Sequence, residues 1–289
     1  MEKIKFIADT PCDLLDEELQ RYSIDMPSVP ITVDGQGFFE RRSFSVNEFY
    51  TVLNNATEIP ATSRVPVSEF QECYTRAYKE GYTTIFCVTI NAGGSGTNAS
   101  ALMARDLFFQ ENPDASGKVA LHVVDSKTYS LGYGYPVLQA AKMAEAGSSS
   151  EEIHKYLLDW FDSVEIYLAC YSLKHAKKSG RINAAAAFVG DMLGVRPIIR
   201  MVDGDTKIVD KVRGDKQLVP HLFKTYLDVR RSADDPVIVV HGEDPQGGIE
   251  LCELISKEIG REVPRYNIGA SIAINAGPNI VAVVVHRKN

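Results

Sequence analysis

The stretch "NAGGSGTNASA", residues 91 to 101, brings three glycines, two serines and a threonine together. Such a cluster suits one of three chemistries: a backbone cradle for phosphate, a nucleophilic serine, or a socket in which hydroxyls and bare amides hold some other anion. A phosphate loop needs a lysine that reaches the β- and γ-phosphates, and this stretch has none. Two other glycine-bearing segments also fall short. "GEDPQGGI" (242–249) lacks the lysine and the following hydroxyl residue, and "GYGYPV" (132–137) lacks the third glycine of a dinucleotide fingerprint. A nucleophile elbow needs G-x-S-x-G. Ser95 sits at its centre, but Thr97 stands where the second glycine belongs. The third chemistry asks least: unpaired N–H groups at a helix start, with Ser95 and Thr97 as further donors. A plain tight turn with a helix cap remains open beside it, and so does a serine-dependent acyl-ester hydrolase using Ser95.

The elements around this stretch give it a position. "TTIFCVTI" (83–90) is a continuous β-rich run, as in a strand buried on both faces. "KIKFIA" (3–8) and "KVALHVV" (118–124) read as further strands, and helices are expected near 13–22, from Ser45, from Ser68 to a stop at Gly81, after the glycine-rich stretch to about 111, over roughly 129–146 and from near 150. Ser45 with Glu48, and Ser68 with Gln71, read as capping boxes. This alternation predicts a parallel sheet with helices on both sides. Asp9, Asn91 and Asp125-Ser126 then lie at the C-terminal ends of parallel strands, the edge where open α/β sheets bind ligands. Helix capping explains Asp9 and Ser126 equally well.

The second half reads differently. "VEIYLACYS" (164–172) is a strand, and "VRPIIRM" and "KIVDKVR" flank a "DG" hairpin turn. A helix (215–230), the strand "PVIVVHG", a helix near 246–259 and strands near 268–274 and 280–287 complete the chain. The expected fold is α/β in two domains. Residues 1–160 form an N-terminal three-layer α/β/α domain with a parallel sheet. Residues 161–289 form a C-terminal two-layer α/β domain with a mixed sheet.

Composition narrows the function class. The chain has 289 residues, 45% of them apolar and 24% charged, as in an ordinary globular protein. Its net charge of -7 argues against nucleic acid as a partner. Residues 174 to 216 nevertheless hold ten Lys/Arg against five Asp/Glu, a local +5, which leaves -12 for the remainder. That region is either a solvated face or a docking patch for an acidic or phosphate-bearing partner. The five cysteines have no metal or redox spacing. No apolar run is long enough to cross a bilayer, and the first residues lack the apolar core of a signal peptide, so a cytoplasmic protein without metal or cofactor is expected.

Several segments, in order, resemble one family. They are "IADTPCDL", "FSVNEFY", "PATSRVPVSEF", "INAGGSGTNASA", "VVDSKTYSLGYG", "SGRI", "GVRPII", "KVRGDKQ" and "NAGPN". Together they are similar to the DegV family of bacterial fatty-acid-binding proteins, over essentially the whole chain. The resemblance implies a non-enzymatic carrier that presents a long-chain fatty acid to a fatty acid kinase, which makes acyl-phosphate for phospholipid synthesis. It implies a carboxylate site at Thr62, Ser63, Ser95, Gly96 and Thr97, with Asn275 standing where the family has histidine. Asn279 and Ser179 also stand where the family has glycine. Arg181 and Arg213, in the basic region, are the candidates for partner or phosphate contact. Phe70, Tyr74, Leu102, Met103 and the run "AAAAFVGDML" (184–193) are candidate walls for the acyl chain, although each fits an ordinary core as well.

Overall fold

The computed structural model describes residues 2–186, 188 and 194–287. Of the run "AAAAFVGDML", Ala187 and residues 189–193 lie outside them. Along the chain the strands are β1 (Ile4–Ala8), β2 (Pro30–Val33), β3 (Gln36–Phe39), β4 (Ala61–Thr62), β5 (Thr84–Thr89), β6 (Ala120–Asp125), β7 (Val164–Cys170), β8 (Val195–Val202), β9 (Asp205–Arg213), β10 (Ile238–His241), β11 (Arg265–Asn267) and β12 (Ile280–His286).

β1, β5 and β6 form a parallel sheet with β5 in the centre. β5 is buried along its whole length, as its unbroken apolar run predicts. Successive side chains point to opposite faces. The Phe86 ring stacks on Phe6 and His122 and meets His154 of the helix Ser150–Phe161. Next to it, Cys87 lies against Tyr74 of the helix Val67–Lys79. Helices therefore cover both faces, and the chain has the expected α/β class.

The second large sheet is mixed, in the order β11-β10-β12-β7-β8-β9. β12 shows how its two faces divide the labour. Val281, Val283 and Val285 pack with Leu222 and Tyr226 of the helix Leu218–Val229 and Leu251 and Ile255 of the helix Gln246–Ile259. Ile280, Ala282 and Val284 join the other core, shared with the first half of the chain. The expected β8–β9 hairpin turns at Asp203 and Gly204, both at positive φ.

Two expectations need correction, and two elements went unpredicted. Residues 268–274 do not form a strand: after β11 the chain enters the helix Ala270–Ala276. "SIAI" is β-prone locally, but buried carboxylates far away in sequence take up the N–H groups of Gly269 and Ser271 and hold this helix. Ser68 is not a cap, because the helix begins at Val67 with Pro66 as its N-cap. Ser45 and Glu48 do form their capping box. The sequence reading also missed the small antiparallel sheet β3-β2-β4, although Asp34-Gly35 between "ITV" and "QGFF" is a hairpin signal. It missed the short helix Lys174–Ser179 as well.

Candidate functional site

The polar strand ends brace the glycine-rich loop. Asp9 is fully buried, and its Oδ1 accepts from the Ile90 N–H at 2.9 Å and from the Tyr133 hydroxyl at 3.2 Å. Asp125 Oδ1 accepts from the N–H groups of Ala92 and Lys127. Asn91 Oδ1 accepts from the Gly93 N–H, and its Nδ2 donates to the Tyr129 hydroxyl (2.7 Å) and the Gly204 carbonyl (3.2 Å). Asn91 and Asp125 are thus engaged in loop geometry, whereas Asp9 Oδ2 is buried without a hydrogen-bond partner among the described residues. Gly94 has a separate reason to be bare: a Cβ there would lie 2.6 Å from the Tyr129 hydroxyl oxygen.

The loop delivers Ser95 to a mouth shared with Thr62, Ser63, Gly96, Arg181 and Asn275. Three distant parts of the chain meet here. Thr62 ends β4, where it pairs with Ile31. Ser95 and Gly96 precede the helix Thr97–Glu111. Asn275 lies in the last turn of the helix Ala270–Ala276. Its Nδ2 donates to Thr62 Oγ1 at 3.2 Å and to the Ser271 carbonyl at 2.8 Å.

Thr97 is the exception among the expected contact residues. It is completely buried, and it works as a clamp. Its Oγ1 accepts from the Val65 N–H at 3.2 Å and pairs with Ser95 Oγ at 2.9 Å. Ser95 Oγ in turn accepts from the Thr97 N–H at 3.2 Å. Thr97 thereby ties the segment after Thr62 to the loop that carries Ser95.

Behind the mouth lies an apolar cavity of about 60 Å³. One wall is the inner face of the mixed sheet: Ile166 and Leu168 of β7, and Ile280, Ala282 and Val284 of β12. Ile272 and Ala276 close it from the helix Ala270–Ala276, and Ile182 lies on its margin. Tyr129, Arg181, Ile272 and Asn275 line both spaces, so cavity and mouth adjoin. The expected walls differ. Phe70 and Tyr74 are buried in the core beside β5, Leu102 is not part of this cavity's lining, and Met103 is 55% exposed. Helical spacing identified an apolar stripe but could not say which core it enters.

No Asp or Glu lines the mouth or the cavity among the described residues, whereas Arg64 and Arg181 both do line the mouth. The nearby acids are buried behind it. Asp13 takes hydrogen bonds from the Gly269 N–H (2.8 Å) and the Ser130 hydroxyl (2.5 Å). Glu40 takes them from the Ser271 N–H (2.8 Å), the Ser271 hydroxyl (2.5 Å) and Thr10 Oγ1 (2.7 Å). Burial pushes the Asp9 carboxyl up to about 7 and that of Asp13 up to about 8. Burial also raises the Tyr129 phenol above its usual range.

Arg213 is not part of this arrangement. It ends β9 opposite Val195, eight residues beyond Asp205 at the mouth-side end, which is about 27 Å at strand rise. Sequence reasoning also missed two residues. Tyr129 follows the Asp125-Ser126 strand end that had been singled out, and Arg64 directly follows Thr62-Ser63.

The chain is thus an α/β protein with a hydroxyl- and arginine-lined mouth over an apolar cavity. The chain belongs to the DegV family: the model of that family, described as one of uncharacterised proteins, matches residues 3–288. A DegV domain-containing protein of Clostridium acetobutylicum is 29% identical over 244 residues, 84% of each chain. Another, of Caldanaerobacter subterraneus, is 28% identical over 295 residues and the full length of both. Among solved structures, a stearic-acid-binding protein from Eubacterium ventriosum superposes with a TM-score of 0.88 at 26% identity, covering 100% of this chain and 99% of that one. A DegV lipid-binding protein from Thermotoga maritima gives 0.84 at 26% identity, covering 99% and 100%. Among the described residues no helix is long and apolar enough to cross a membrane.

Proposed function

We propose that this chain is a non-enzymatic carrier of one long-chain fatty acid, with the carboxylate at the mouth and the acyl chain in the apolar cavity. The observation that carries the reading is the adjacency of the two spaces through Tyr129, Arg181, Ile272 and Asn275. Each buried CH₂ contributes about 0.8 kcal/mol, so roughly fifteen supply on the order of 12 kcal/mol before ordering costs. The mouth then has only to satisfy the carboxylate, which would be costly to bury unpaired. Asn275 occupies a lone pair of Thr62, and the Thr97 N–H occupies one of Ser95. Both hydroxyls can then turn their protons toward an anion. The relatives described as binding stearic acid or lipid support the same ligand class.

In this reading the carrier works in the cytoplasm and presents its cargo to a fatty acid kinase for acyl-phosphate formation in phospholipid synthesis. Residues 1–160 supply the loops at the carboxylate, and residues 161–289 supply the sheet over the chain. A hydrolase using Ser95 is the weaker alternative. No histidine lines the mouth among the described residues, and Ser95 Oγ is engaged by Thr97 rather than by a base.

Denaturing mass spectrometry of the purified protein, followed by an oleate titration, tests the carrier reading. A co-purified long-chain acid with saturable binding is expected. Absence of both would overturn it. Turnover of p-nitrophenyl esters that is lost in Ser95→Ala would favour the hydrolase. Formation of acyl-phosphate only when this chain, ATP and a fatty acid kinase are mixed tests the presentation step.

A further inference from the structure

The side chains that cradle the proposed carboxylate, Thr62, Ser63, Ser95 and Asn275, are all neutral. None gives the site a means of telling an ionised acid from an alcohol or ester of the same length. Arg64 lies in the same lining and carries a full guanidinium. Most arginines of this protein are paired: Arg42 with Glu69, Arg76 with Asp25, Arg200 with Glu165. Arg64 has no hydrogen bond or ion pair among the described residues. Arg181, the other arginine of the mouth, already donates from Nη1 to the Ser179 carbonyl at 2.7 Å.

Arg64 is also built in. Thr62 on one side accepts from Asn275, and the Val65 N–H on the other is fixed on Thr97 Oγ1. A Cβ at Gly96 would lie 3.0 Å from Arg64 Cδ. The bare backbone at Gly96 thus makes room for the stem of Arg64, beside Ser95. This gives the last glycine of "GGSG" a role of its own.

We infer that Arg64 is the charge-recognition residue of the mouth. It draws the ionised form of a fatty acid to the hydroxyl cradle and pairs with its carboxylate, so that the chain selects acids over neutral esters and alcohols. This rests on the carrier reading above. An arginine fork matches a carboxylate in geometry and stays charged at any working pH. Because Arg64 lies at an exposed rim, its contribution is screened by salt.

The test is calorimetric titration of the wild type, Arg64→Gln and Arg64→Lys with oleate and with oleyl alcohol, at low and high sodium chloride. Arg64→Gln is expected to weaken oleate about threefold to tenfold at low salt, to leave oleyl alcohol within about twofold, and to flatten the salt dependence. Arg64→Lys is expected to keep the salt dependence. If Arg64→Gln binds oleate like the wild type, or loses oleyl alcohol equally, the charge role is wrong while the carrier reading stands. If the wild type binds no oleate, both are overturned.

Discussion

Asn275 donates a hydrogen bond from Nδ2 to Thr62 Oγ1 at 3.2 Å, across 213 positions of sequence. This contact joins the end of a small edge sheet to a short late helix, and it leaves the Thr62 proton available. Replacing Asn275 with alanine should lower oleate affinity about fivefold, the worth of one neutral hydrogen bond. Asn275→Asp should lower it more than tenfold, because a carboxylate then faces a carboxylate. Equilibrium dialysis with labelled oleate reads both, and equal affinities in the two variants would contradict the arrangement.

Ser95 and Thr97 should fail in different ways. Ser95→Ala removes a contact at the mouth and should weaken oleate several-fold with little change in melting temperature. Thr97→Val leaves the buried Val65 N–H without its acceptor. A buried donor so orphaned costs about 1–3 kcal/mol, and binding should weaken with it. Thermal melts beside the same titration separate contact from clamp. A melting temperature that stays put in Thr97→Val would remove the clamp role.

Adjacent residues of β12 should also separate cleanly. Ala282 faces the cavity, and Val283 faces the helices on the far side of the sheet. Ala282→Phe should abolish recovery of long-chain acid by mass spectrometry and leave the fold intact. Val283→Ala should cost about 2 kcal/mol in denaturant unfolding and leave the recovered lipid unchanged.

Asp9 should make stability depend on pH. Burial raises its pKa from 3.8 to about 7 in the folded chain. The folded state therefore binds a proton that the unfolded state has already lost between those values, and stability falls as pH rises through that window. The contribution is whole below about 4, and its loss is complete just above 7. Asp9→Asn should flatten this fall, by at most about 1.4 kcal/mol per pH unit. Melting temperatures of both proteins from pH 5 to 8 provide the check. Parallel curves would mean that Asp9 does not titrate in this range.

The class of fold was legible because long apolar runs and turn residues carry it locally. β5, the Asp203-Gly204 hairpin and the Ser45–Glu48 cap follow from adjacent residues alone. The helix Ala270–Ala276 was not legible, because the groups that satisfy its start, Asp13 and Glu40, lie more than 200 residues away. The meeting of Thr62, Ser95 and Asn275 followed from family resemblance rather than from their spacing. Arg64 went unremarked beside Thr62-Ser63 because nothing local marks an arginine as lacking a partner.

The late helix has a consequence for biosynthesis. Its anchors span 256 positions to Asp13, 231 to Glu40 and 213 from Asn275 to Thr62. A nascent chain in which residues 269–275 have not yet emerged from the ribosome can form the parallel sheet but cannot yet close the mouth. A chain cut short before Gly269 lacks the groups that close the mouth, and the proposed binding of fatty acid should be lost in it.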